Sequence, residues 1–222
     1  MKKIFLLFIL IQTIAFGQVR LTESEMDSVI MPFVKDTTFS GCILIGNMDS
    51  IIFKKLYGYA NYELKVPNQT NYVFNVASIS KHFTGAAILL LALENKLSIK
   101  DSLIKYIPNF PNGNNITIEN LLTHKSGIQT YNDFSNYDDF KLKPRTLQQV
   151  VDWVIAKAKF NEPNGKFMYS NSNYAILAYI VEKVSKQKFE DYLSEHFFQP
   201  ANMNHTGNFS RSDVIEGRVS NY

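Results

Sequence analysis

Apolar residues in this chain fall into two rhythms. From Ile79 to Asn95 (ISKHFTGAAILLLALEN) they sit on every side of a helix, which predicts a helix buried nearly all round. Other stretches are amphipathic. Over Asn173–Lys186, Ile176, Leu177, Ile180, Val181 and Val184 form one inward stripe. Over Thr22–Lys35 the stripe is Met26, Val29, Ile30, Phe33 and Val34, with Pro32 as a kink or an early stop. Thr22 with Glu25, and Thr146 with Gln149, are spaced as capping boxes, the second opening a helix to about Ala158. A further helix opens at Thr117 (TIENLLTH), and another runs from Lys188 to Phe198, stopped by Pro200.

The second rhythm is short and β-rich. FSGCILIGNMDSIIFKKLYGYAN, residues 39–61, gives two strands around Asn47–Ser50, a hairpin whose second strand closes on Tyr59-Ala60-Asn61. A polar loop follows through Pro67 to Asn71. The predicted order is therefore helix, hairpin, and a long helical block, with no internal repeat. A two-stranded hairpin is not stable alone, and no further strands are legible in this chain.

Composition changes this picture little. The 222 residues are rich enough in apolar and aromatic side chains for a packed core. The N-terminus, MKKIFLLFILIQTIAFGQ, sets two lysines before an apolar run, Ile4–Ile11, and then Ala15-Phe16-Gly17. It reads as a signal peptide over residues 1–17, cut near Gln18. The run is shorter than the roughly 20 residues a membrane span needs, which disfavours the alternative of an anchor helix. The mature chain is then expected outside the cytoplasm. Losing Lys2 and Lys3 removes two charges from the formal +3 and leaves +1, with no basic stripe for nucleic acid. Cys42, the only cysteine, cannot form an internal disulfide and reads as a small core residue within GCILIG.

Candidate chemistry lies where polar residues interrupt these patterns. Ser-x-x-Lys occurs at Ser78/Lys81, Ser102/Lys105 and Ser185/Lys188. The last two sit in a polar turn and at a polar helix end, where solvated roles suffice. Ser78 and Lys81 open the apolar helix, on one face about a turn apart. A desolvated lysine there can act as base toward the hydroxyl, and the helix N-terminus favours an oxyanion. The competing account is an N-cap serine beside a lysine that reaches solvent. Tyr169-Ser170-Asn171 sits in GKFMYSNSNYAIL, a polar loop before a helix, where a phenol and an amide two residues apart can point the same way.

Taken in order, VASISKHFTGAAILLLALENKLSIKDSLIKYIPNFPN, ITIENLLTHKSGI and GKFMYSNSNYAILAYIVEKV resemble the serine β-lactamase and penicillin-binding-protein superfamily, in its class C-like branch of β-lactamase-related serine hydrolases. The hairpin end YGYAN also fits, and the resemblance covers about Phe39 to Phe209. It implies an α/β, transpeptidase-like fold: an antiparallel sheet flanked by helices, plus an all-helical domain. It implies Ser78 as the acylated nucleophile, Lys81 as its partner, Tyr169 as proton shuttle sharing the acid/base work with Lys81, and Asn171 as a substrate-binding amide. It implies no cofactor. His124, in LLTHKSGI, reads as scaffold rather than as part of a Ser-His-Asp triad, and the histidines show no metal-ligand spacing.

The superfamily's third element, a Lys-Thr-Gly strand, has only a near match at His205-Thr206-Gly207, which reads as a connector. The chain is therefore expected to be a partial domain over 18–222: helix and hairpin of the sheet domain at 18–70, helical domain at 71–209, and a return toward the sheet at 210–222. In that form it is expected to be poorly stable and nearly inactive, with an uncovered sheet edge. The function implied is a secreted serine hydrolase forming an acyl-enzyme with a small-molecule or peptide substrate: a β-lactam, a D-amino-acid peptide such as a cell-wall peptide, or a carboxylester. The alternative is a non-catalytic penicillin-binding-like module.

Overall fold

The computed structural model describes residues 22–209 and 213–220. The expected signal peptide and part of the expected C-terminal return lie outside them. The chain divides into two compact units at Tyr72/Val73.

In the first unit, helix α1 (Glu23–Lys35) starts at the Thr22–Glu25 capping box and carries Pro32 inside it, continuous to its end. Strands β1 (Gly41–Gly46) and β2 (Ile51–Tyr57) pair antiparallel, with Gly41 opposite Tyr57. The connecting turn is held by Asn47, whose Oδ1 accepts the N–H groups of Asp49 and Ser50. Ile30, Phe53 and Tyr57 form a small core, with Met26, Val34, Phe39 and Ile43 packed around it. Polar bonds pin the helix to the hairpin. Lys55 Nζ meets Asp27 and Glu23 at 2.6 and 2.8 Å, and the Tyr57 hydroxyl donates to Asp27 at 2.7 Å. Burial, and then Asp27, push the Tyr57 phenol up to about 12.

Two expectations change here. Tyr59–Asn61 is not the tail of β2 but a separate strand, β3, paired with β4 (Val66–Pro67) inside the stretch expected as loop. Gly58 breaks the run at φ +65°, where an added Cβ would fall 2.5 Å from Ser40 Oγ. Cys42 is exposed rather than buried. GCILIG is apolar on both faces, so composition could not say which face packs. The pairing with β2 puts Ile43 toward α1, and Cys42 and Leu44 on the opposite, open face. Among the described residues both sheets have two strands.

The second unit is a helical bundle. Its elements are α2 (Ser80–Leu93), α3 (Ile118–Leu122), α4 (Tyr137–Lys141), α5 (Leu147–Lys157), α6 (Asn171–Ser185) and α7 (Phe189–Leu193). A π-helical turn over Ser194–Phe198 follows α7. The capping boxes at Thr146 and Thr117 are both made, the latter with Asn120. Helix α6 is central: Ile176, Leu177, Ile180 and Val181 are fully buried against Ile88, Leu91, Leu121, Val151 and Val154. Helix α2 departs from expectation. Thr84, Ala87, Ile88 and Leu91 are buried, but Leu89 and Leu93 are 50% and 80% exposed. A helix apolar all round carries no mark of which side its own unit will cover. No described helix is long and apolar enough to cross a membrane.

Candidate active site

The site starts from a local backbone device. Asn75 Oδ1 accepts the Ala77 N–H at 2.9 Å, and Ala77 takes φ +43°, a left-handed conformation costly for a residue with a Cβ. The chain then winds into a 3-10 turn, Ala77–Ile79, that runs directly into α2, with Ser80 Oγ donating back to Ala77 O. Ser78 therefore sits on the turn rather than in the helix proper. A 3-10 turn nearly eclipses positions i and i+3, which helps bring Lys81 over Ser78. Lys81 Nζ donates to Ser78 Oγ at 3.0 Å.

The third group comes from 91 residues away. The Tyr169 hydroxyl lies 2.7 Å from Ser78 Oγ. The Lys81 ammonium also stands 5.1 Å from the centroid of the Tyr169 ring and 5.7 Å from that of Tyr174. Lys81, and secondarily Ser78, hold the Tyr169 phenol below its usual range. The serine hydroxyl is exposed and in hydrogen-bond contact with both the Tyr169 phenol and the Lys81 amine.

Tyr169 is placed by the loop after α3. His124 takes φ +56°, which turns its carbonyl and its ring toward the segment before α6. The carbonyl accepts the Met168 N–H at 2.8 Å, and ring Nδ1 accepts the Ser170 N–H at 3.1 Å. Tyr169 is thus held from both neighbours, with its ring 4.6 Å from the imidazole. Burial, then the charge of Lys81, hold His124 below its usual range, so the ring is neutral, and the bond from Ser170 assigns the proton to Nε2. Further along, Gly127 at φ +75° lets Asn161 N–H reach its carbonyl. A Cβ there would meet Asn161 O at 2.2 Å. Ser126 Oγ donates to buried Asn173 Oδ1 at 2.7 Å, tying the loop to α6.

Of the four residues singled out in the sequence, the structure brings Ser78, Lys81 and Tyr169 together. Asn171 opens α6, and its bonds go elsewhere: its amide donates to Asn132 Oδ1 at 2.6 Å, and its N–H to Thr130 Oγ1 at 3.1 Å. Sequence reasoning missed His124 as the clamp on Tyr169. The signal available was a run of small polar residues, Ser170, Ser172 and Asn173, entering an apolar helix: all three are buried and need partners.

The remaining candidates sit apart. Lys105 pairs with Asp101 at 2.8 Å. Ser185 Oγ accepts the Gln187 N–H, next to Lys188 at the start of α7. His82 is exposed and bonds Ile79 O, and His196 packs on the Tyr192 ring. His205-Thr206-Gly207 lies exposed in a segment without strand structure. Among the described residues no three His, Cys, Asp or Glu side chains cluster as metal ligands.

The chain is 36% identical over 188 residues to penicillin-binding protein 4* of Bacillus subtilis, covering 83% of this chain and 41% of that one. A penicillin-binding protein structure from Bacillus halodurans superposes with a TM-score of 0.72 at 29% identity, covering 86% of this chain and 59% of that one. At 22% identity, D-amino acid amidase from Ochrobactrum anthropi shares the fold, with a TM-score of 0.66 over 80% of this chain and 51% of that one. The chain spans less than half the length of the curated relatives it matches. The sequence model of the beta-lactamase family matches residues 26–222, and the chain belongs to that family.

Proposed function

We propose that this protein is a serine hydrolase that works through an acyl-enzyme at Ser78. The observation that carries the reading is Ser78 Oγ held between the Tyr169 hydroxyl at 2.7 Å and Lys81 Nζ at 3.0 Å. Ser78 Oγ attacks the substrate carbonyl carbon as Tyr169, in its phenolate form, takes the hydroxyl proton. The carbonyl electron pair moves onto oxygen, where the Ser78 N–H is one donor. Collapse restores the carbonyl and expels the leaving group, which takes the proton from Tyr169. Water then attacks the ester with Tyr169 again as base, and Ser78 recovers its proton. Lys81 takes part by donating to Ser78 Oγ and by favouring the phenolate of Tyr169, and in this way the two residues share the acid/base work. Asn171, at the edge of this site, is assigned to the substrate carbonyl side once its amide is released from Asn132.

Substrates in this reading are β-lactams, D-amino-acid peptides or carboxylesters, all of which present a carbonyl for acylation. Incubation with a fluorescent penicillin and, separately, a fluorophosphonate, followed by mass spectrometry, tests it. A covalent adduct at Ser78 that is absent in Ser78→Ala and strongly reduced in Lys81→Ala is expected. An adduct elsewhere, or none, overturns the nucleophile. A penicillin adduct that forms at Ser78 and is never hydrolysed identifies a penicillin-binding module instead. Residues 1–17 support export of the chain, and a mature N-terminus at Gln18 in the exported fraction is the corresponding result.

A further inference from the structure

The short turn Tyr131–Asp133 links the active site to an open cleft. On one side, Asn132 holds the amide of Asn171. On the other, Tyr131 lines a cleft of about 230 Å³ together with Tyr137, Phe140, Trp153, Lys143 and Arg145. The phenol of Tyr131 is pushed up by burial and then by Tyr137 and Tyr169.

The cleft is built from stacked rings. Phe140 lies flat on Trp153, centroids 3.7 Å apart and planes 7° apart, and Tyr131 stacks with Tyr137 at 6.0 Å. The Arg145 guanidinium stands 4.8 Å over the Phe140 ring. Three cations lie here, and they differ. Lys141 is tied to Asp138. Lys143 and Arg145 are exposed and pair with no carboxylate among the described residues. Asp139 lines an adjoining cleft of about 370 Å³ that shares Phe140 and both cations, yet it pairs with neither. The Trp153 indole N–H is buried without an acceptor.

Two unpaired cations beside flat aromatic walls select one ligand class. An apolar group packs against the edges of the half-buried Tyr131, Tyr137 and Phe140 rings, and a carboxylate on it meets the guanidinium fork and the ammonium. Neutral aromatic ligands would use only the first of these. We propose that this cleft binds the carboxylate-bearing apolar end of the substrate that acylates Ser78, an inference that rests on Ser78 being the nucleophile.

Trp153 is the only tryptophan in the chain, so its fluorescence reports on this cleft alone. Titration of the Ser78→Ala protein with phenylacetate is expected to give a saturable change. Phenylacetamide should bind about tenfold more weakly, the worth of a charge-assisted bond. Arg145→Gln and Lys143→Gln should each weaken phenylacetate and leave phenylacetamide unchanged. Equal binding of acid and amide, or unaltered phenylacetate affinity in both variants, overturns the cleft as a carboxylate site. In the wild-type protein, bound phenylacetate should slow fluorophosphonate labelling of Ser78. Saturable binding with no slowing overturns the cleft as part of the substrate groove. Absence of any labelling at Ser78 defeats the nucleophile reading and leaves the tryptophan titration standing on its own.

Discussion

The Tyr169 ring packs against the His124 imidazole, centroids 4.6 Å apart and planes 33° apart, while His124 also bonds the backbone on either side of Tyr169. The histidine contacts Tyr169, and its bonds go to the backbone around that residue rather than to Ser78. It acts by position: a ring face behind the phenol and two acceptors that fix the segment carrying it.

Removing that support should therefore misplace the phenol. His124→Ala is expected to lower kcat by about 100-fold, the cost of roughly 1 Å of misplacement, with KM little changed. His124→Asn, which keeps a side-chain acceptor, should recover part of the loss. Steady-state kinetics on both variants check this, with thermal melts to separate misplacement from unfolding.

The acid stability of the fold follows from the same ring. The folded protein holds His124 below its usual 6.5, by burial and then by Lys81. The unfolded chain therefore binds the proton that the folded state refuses. Stability is fully present above 6.5 and falls as pH drops below it, until the folded-state pKa is passed. Urea melts between neutral and acidic pH should show this slope, and it should flatten in His124→Asn.

Tyr169 should ionise earlier than an ordinary tyrosine, because Lys81 and then Ser78 favour its phenolate. Ultraviolet difference titration of the wild-type protein against Tyr169→Phe isolates this group. Its midpoint is expected below 10, and it should move upward in Lys81→Met, where the main cause of the shift is gone. An unchanged midpoint in Lys81→Met would assign the shift to something other than the lysine.

Gly127 is where the backbone leaves no room. At φ +75°, and with Asn161 O 2.2 Å from an added Cβ, Gly127→Ala forces two segments of backbone apart. A loss on the order of 3 kcal/mol is expected, measured by urea denaturation. Because Asn161 begins the approach to Tyr169, activity should fall further than stability alone explains.

The helical unit is largely legible in the amino-acid sequence, because its signals are local. Thr146 and Gln149 cap α5 as spaced, and Ile176, Leu177, Ile180 and Val181 face inward as their period requires. Pro32 shows the limit of a single residue's preference. Pro32 offers no N–H to the Ser28 carbonyl, yet α1 runs on to Lys35, with Ile30 in the small core beside Phe53 and Tyr57. Cys42 and Leu89 show the same limit for burial. In an unbroken apolar run the sequence is symmetric between faces, and only the neighbours that arrive decide which face is covered.

For the site, the sequence alone determined which residue types could do acyl transfer and that Ser78 and Lys81 share one turn, since three residues of helical backbone bring them together. The tertiary structure decided that the Tyr169 hydroxyl meets Ser78 Oγ, that His124 holds the tyrosine there, and that Asn171 turns to Asn132 instead. Contacts across 91 residues have no period and no local signature. They form because α6 must bury its apolar stripe against α2 and α3, and that packing brings the polar ends of these elements to one place.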